Sequence, residues 1–132
     1  MKLKVIIYAD GLSRGNPGEA AVGATIKDER GQLLASVSQR IGRATNNQAE
    51  YRALIAALKE AVRLRATEAG IYLDSELVVM QLSGRYRVKN AALKPLHNEA
   101  RGLLGRLESF TIAHVPRRQN SEADRLANAA FD

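Results

Sequence analysis

The hydrophobic period of the chain changes at Thr45, and that change restricts the fold more than any other feature of the sequence. Before it, residues 3–9 (LKVIIYA) form a run rich in β-formers and apolar on both faces, as a central strand requires. AAVGATIKD (20–28) and QLLASVSQR (32–40) flank Glu29-Arg30-Gly31 and read as an antiparallel hairpin. Between them and the first strand, GLSRGNPGE (11–19) has the glycines and proline of a turn. After Thr45, residues Leu54, Ala57, Leu58, Ala61 and Leu64 recur at helical spacing, which predicts an amphipathic helix over 47–66. IYLD (71–74) reads as a short buried strand and SELVVMQLS (75–83) as a short helix. Residues 92–107 read as a helix, FTIAHV (110–115) as a strand and 120–131 as a last helix. The order β-β-β-α-β-α-α-β-α predicts an α/β domain with a mixed sheet: three antiparallel strands, then parallel ones joined through helices. Ligand sites in such sheets lie beyond the strand ends.

Composition narrows the function classes. The 132 residues suit one domain, 1–132, with no internal repeat, low-complexity tract or Pro/Ser-rich linker. The absence of cysteine excludes disulfides and thiolate metal sites and fits a reducing compartment. The opening MKLKVIIYAD meets Asp10 too early for a signal core, and no stretch approaches a membrane span. The expectation is a soluble, cytoplasmic monomer with no membrane partner. Twenty basic against fourteen acidic residues give a charge of +6, which favours an anionic partner, nucleic acid before a membrane surface. No Gly-x-Ser-x-Gly elbow is present, Asp74-Ser75 has no identifiable histidine partner, and GNPGEAAVG lacks the glycine spacing and lysine of a phosphate loop.

Four carboxylates stand at the ends of the predicted elements, and each has a structural account of its own. Asp10 ends an apolar strand before Gly11, where turn residues are common. Glu50 is the third helical residue if Asn47 is the N-cap, completing a capping box. Asp74 precedes a helix, as an N-cap aspartate does, and Asp124 follows Ser121 at capping-box spacing. Taken together they can converge on one end of the sheet. Carboxylates crowded there would repel and raise one another's pKa unless cations intervened. Oxygen-only ligands suit Mg²⁺ or Mn²⁺, and a pair of such ions clamps in-line displacement at phosphorus.

The segments YADGLSRGNPG, TNNQAEYRAL, YLDSELV and NSEADRLANAA, in this order and at compatible spacing, resemble the type 1 ribonuclease H family over nearly the whole chain. The resemblance implies a five-stranded mixed sheet flanked by helices, and cleavage of the RNA strand of RNA–DNA hybrids to 5′-phosphate and 3′-hydroxyl ends. It implies that Asp10, Glu50, Asp74 and Asp124 hold two metal ions. Asp10 would bridge them, Asp124 would serve the nucleophile side, and Glu50 and Asp74 the leaving-group side. Asn16, Asn46, Asn47 and Gln48 match positions that contact the minor groove, where the 2′-hydroxyl distinguishes RNA from DNA. Thr45 and Asn90 match positions that hold a phosphate of the DNA strand.

Two departures from the family pattern bear on substrate. The basic, aromatic-rich protrusion of many members is reduced to GRYRVKNAALK, with Arg85, Arg87, Lys89 and Lys94 and no tryptophan. Fewer neutralised phosphates imply weaker or more salt-sensitive binding. The loop before the last helix is cut to VPRRQNS and lacks the family's histidine; Arg117 or Arg118, with Arg118 preferred, can supply a charge there instead. His114 is expected inside a strand and His97 on a helix surface. Members trimmed in this way include some that also cut RNA–RNA duplexes, so that substrate stays open. So do two other readings: a different polynucleotidyl transferase on the same sheet, and a binding module without chemistry.

Overall fold

The computed structural model describes residues 2–132. Among these, five strands form one sheet: β1 (Lys4–Gly15), β2 (Gly18–Asp28), β3 (Leu33–Ala44), β4 (Glu68–Leu73) and β5 (Ser109–His114). Their order is β3-β2-β1-β4-β5, with β1–β2 and β2–β3 antiparallel and β1–β4 and β4–β5 parallel. The helices are α1 (Asn46–Arg63), α2 (Glu76–Leu82), α3 (Lys94–Leu104) and α4 (Ser121–Ala129), and a 3-10 turn over Arg117–Asn120 leads into the last. The predicted order and the mixed sheet are both present.

The main difference lies in GLSRGNPGE. It is not a loop: β1 runs through it to Gly15, and only Asn16 and Pro17 form the connection to β2. Cross-strand hydrogen bonds with β2 outweigh the turn propensity of the glycines. Asp10 therefore stands within a strand, not at its end. Helix α1 also stops earlier than its apolar spacing suggests. Arg65 takes a left-handed conformation (φ 62°), and the amides of Arg65 and Ala66 close back on the carbonyls of Val62 and Ala61.

The odd-numbered residues of β1 face α1, whose buried side includes Tyr51, Leu54 and Leu58. Val5, Ile7 and Ala9 complete this core with Ile71 and Leu73 of β4. Helix α4 covers the other face at β2. Two glycines permit the closest approaches. A Cβ on Gly11 would run into the backbone of Ala49 and Glu50 in α1, and one on Gly23 into the backbone of Ala123 and Ala127 in α4. By contrast Gly102, on an open surface of α3, meets nothing within 4 Å. Gly102→Ala is expected to stabilise the fold by about 0.5–1 kcal/mol through helix propensity, read as a rise in Tm. Among the described residues no helix is long and apolar enough to cross a membrane.

Candidate active site

The parallel register of β1 and β4 pairs Tyr8 with Tyr72 and Ala9 with Leu73. The next residues on each chain are Asp10 and Asp74, and there β4 ends while β1 continues with β2 alone. A crevice opens at that divergence, as expected where a sheet's connections change direction. Gly11 lets the first turn of α1 close over it, and the Gly11 amide donates to Glu50 Oε1 at 2.6 Å. Carboxylate oxygens of Asp10, Glu50 and Asp74 lie within 4.8 Å of one another. On the opposite face, Asp10 pairs directly with Gly23, over which α4 packs. That contact brings Asp124 close enough to Asp10 for its charge to act on it, though Asp124 lies outside the group of three.

None of the three helix-associated carboxylates takes the capping role that its position suggested. Thr45 is the N-cap of α1 and forms the capping box with Gln48 (2.8 and 3.1 Å), so Asn47 is not the cap and Glu50 is not its partner. Ser75, not Asp74, caps α2, and Asn120 occupies the N-cap position of α4, so Ser121 and Asp124 form no box. Uncharged neighbours stand at these helix starts, and the carboxylates are left for the crevice.

Asp10 is 5% exposed, and its pKa is pushed up from 3.8 to about 7. Burial is the largest cause; the charges of Asp74 and Asp124 add to it, and a hydrogen bond from Glu50 opposes it. Burial and the Asp10 charge raise Glu50 well above the ordinary carboxylate range. In the absence of divalent ions this arrangement penalises the folded state. An acid whose folded pKa is raised binds more protons folded than unfolded, so stability is lost as pH rises between the two values. Metal-free protein should therefore lose stability from about pH 4 to about pH 7, by at most ~1.4 kcal/mol per pH unit from Asp10. Melting across that window with chelator, then with Mg²⁺, should show the slope flattened by the ion; a metal-free Tm that rises with pH would contradict it.

The donor set fits hard divalent cations. It consists of carboxylate oxygens alone, Asp74 Oδ2 is buried without a hydrogen-bond partner, and no lysine or arginine pairs with Asp10, Glu50, Asp74 or Asp124 among the described residues. Asp10, Gly11, Leu12, Asn46, Glu50, Asp74 and Arg117 line an open cleft of about 330 Å³. The arginine at the cleft is Arg117; Arg118, preferred from the sequence, is not among its lining residues. Both arginines are exposed and belong to the 3-10 turn, which sequence periodicity did not anticipate.

The amides assemble beside the cleft. The Asn46 amide N–H donates to Asn16 Oδ1 at 3.0 Å, and Asn46 Oδ1 accepts from the Ser13 amide at 3.1 Å. Both side-chain acceptors are thus engaged, while Nδ2 of Asn16 and of Asn46 and Nε2 of Gln48 have no acceptor among the described residues. Asn47 is exposed. Lys89 and Asn90 do not line the cleft; they stand on the exposed α2–α3 connection, where Asn90 Oδ1 accepts from the Ala92 amide. His114 ends β5 and is exposed; His97 is half-buried, edge-on to Tyr51.

Sequence inspection passed over Gly11 and Gly23 as site-forming residues, although a glycine inside a strand pattern signals close backbone approach. It also passed over Asn120. This residue is 1% exposed, and its Nδ2 donates to the Ala9 carbonyl at 2.9 Å, tying the start of α4 to the strand beside Asp10.

A reverse transcriptase-like family matches residues 8–130. A bifunctional protein of Mycobacterium tuberculosis is 51% identical over 131 residues, 98% of this chain and 36% of that protein. Ribonuclease HI of Halobacterium salinarum is 46% identical over 129 residues, 98% of this chain and 65% of the relative. The chain thus spans about a third of the first relative's length and just under two thirds of the second's. The solved structure of LC11-RNase H1 in complex with an RNA/DNA hybrid superposes with a TM-score of 0.90 at 40% identity, covering 97% of this chain and 96% of that one.

Proposed function

Because the chain belongs to the ribonuclease H family, we propose that it cuts the RNA strand of RNA–DNA hybrids internally, using two divalent ions, Mg²⁺ or Mn²⁺, and leaving 5′-phosphate and 3′-hydroxyl ends. Residues 1–132 are read as one such domain. The observation that carries the proposal is the convergence of Asp10, Glu50 and Asp74 within 4.8 Å, with Asp124 acting on Asp10 from the other face and no ion pair to any of the four among the described residues.

Asp10, Glu50, Asp74 and Asp124 would hold the ions. Bound there, divalent ions supply an activated water and charge stabilisation at the departing oxygen. The other groups position the substrate. The free amide donors of Asn16, Asn46 and Gln48 face a ligand that accepts hydrogen bonds, which suits the 2′-hydroxyl and minor-groove acceptors of an RNA strand. Thr45 and Gln48 bind one another, so this edge is held rigid before substrate arrives. Asn47 is the outermost of the group. Arg117 brings a fixed positive charge to the cleft that would hold the scissile phosphate, and Arg118, exposed like it, lies beside it without lining the cleft. Lys89 and Asn90 would serve the DNA strand from the α2–α3 connection.

The test uses one labelled RNA strand presented as hybrid, as RNA–RNA duplex and as single strand, each with Mg²⁺, Mn²⁺ or chelator. Metal-dependent internal cutting of the hybrid is the expected result, and the duplex arm decides whether that substrate is shared. Hybrid binding without cutting in any metal would instead favour a binding module, and cutting of DNA a different transferase.

A further inference from the structure

Arg14 lies outside the carboxylate cleft and outside the amide cluster. It shares a face of β1 with Asp10 and Leu12, since alternate strand residues point the same way. Leu12 lines the cleft, and Arg14 stands two residues beyond it. Four residues of strand place it about 13 Å from Asp10, roughly four base steps along a duplex axis.

The surroundings of its guanidinium are unusual for an exposed arginine. Its Cζ sits over the ring of Phe131, 3.8 Å from the centroid, and the Cζ of Arg40 lies 5.5 Å from the same centroid. Phe131 is half-buried just after α4, so the end of that helix places the ring beneath the Arg14 guanidinium. Arg40 has Glu19 at 3.8 Å; Arg14 has no carboxylate within 4.0 Å and no hydrogen-bond acceptor among the described residues. One face is therefore covered by an aromatic ring while every N–H edge is free. A stacked guanidinium with unfilled edges is preorganised for bidentate binding of a phosphate. A second guanidinium at the same ring raises the local positive potential further. If the contact served only to anchor Phe131, it would not require two arginines to crowd one ring.

We infer that Arg14, held against Phe131 and backed by Arg40, is a phosphate-binding fork for the duplex whose RNA strand lies in the cleft. The inference rests on the ribonuclease H reading, and it extends the nucleic-acid footprint along the Asp10 face of β1 to Arg14, near the end of the strand. It would offset part of the affinity that the segment's reduction removes.

Hybrid binding would be followed by fluorescence anisotropy across a salt series, in an Asp10→Asn background so that nothing is cut, with cleavage measured separately in the otherwise native chain. Arg14→Ala should raise Kd about 3- to 10-fold near physiological salt and lower the slope of log K against log salt by about 0.9. Arg14→Lys should keep the slope while raising Kd about 2-fold, because the charge remains and the fork does not. Arg63→Ala, which removes a charge paired with Glu60 on the far end of α1, controls for general charge loss and should leave the slope unchanged. A merely structural contact would change melting and leave the salt slope alone. If the native chain cleaves hybrid and Arg14→Ala matches Arg63→Ala in both Kd and slope, this inference falls and the ribonuclease H reading stands. If the native chain neither binds nor cuts hybrid, both fall together.

Discussion

Asp10→Asn should reduce hybrid cleavage by about 10³-fold or more and at the same time stabilise the metal-free protein. The residue is the one that the other three carboxylates share: it lies beside Asp74 through the β1–β4 register, beneath Glu50 through the contact of α1 at Gly11, and near Asp124 through the contact of α4 at Gly23. An amide at this position is a weak ligand for hard cations, and several kcal/mol of charge stabilisation would be lost at the reacting phosphate. The same change removes a buried charge that its neighbours repel. It also offers a donor to a site where Asp74 Oδ2 has none. Above about pH 7, where Asp10 is ionised, the gain should be about 1–3 kcal/mol, seen as a Tm higher than that of the native chain in chelator. In Mg²⁺ the order should reverse, because only the native carboxylate set gains from the ion. Loss of activity accompanied by a lower metal-free Tm would mean that Asp10 supports the fold, and would count against the ion-binding role.

The second large effect concerns a residue with no side chain. Gly11→Ala should destabilise the protein by more than about 3 kcal/mol, lowering Tm by roughly 10 °C or more, and leave cleavage severely impaired in whatever remains folded. The added carbon would meet backbone atoms of Ala49 and Glu50, which cannot rotate away. Relief requires α1 to lift from β1, and that movement breaks the Gly11–Glu50 hydrogen bond and separates Glu50 from Asp10. Gly23→Ala should act likewise through α4 and Asp124, on the other side of the same strand. Circular dichroism melts beside single-turnover cleavage would check both. A Gly11→Ala protein with native Tm and native rate would show that α1 does not depend on this contact.

A buried link also runs behind Glu50. Tyr51, the next residue on α1, donates to Gln81 Oε1 at 2.6 Å, and Gln81 Nε2 reaches the Arg87 carbonyl at 3.4 Å. Burial pushes the Tyr51 phenol up to about 12, so it remains a donor at any physiological pH. Helix α1 is thereby fixed both to α2 and to the start of the basic segment.

The sequence by itself determined the order of elements, the mixed sheet and the four acidic positions. Those depend on local information: the period of apolar residues, the residues next to them, and short motifs. It also suggested caps at three of the acidic positions, because a carboxylate near a helix start satisfies the capping pattern whether or not another residue does the capping. Only the tertiary structure decided that Thr45, Ser75 and Asn120 occupy those cap positions. It decided that GNPG is a two-residue connection on a long strand, that Arg117 faces the cleft, and that Arg14 stacks on Phe131. Each of these depends on which backbone lies opposite, and residues as distant as Asp10 and Asp124 carry no local sign of their proximity. The physical reason is that side-chain direction follows from register and close packing, which exist only once the strands have paired and the two helices have settled onto Gly11 and Gly23.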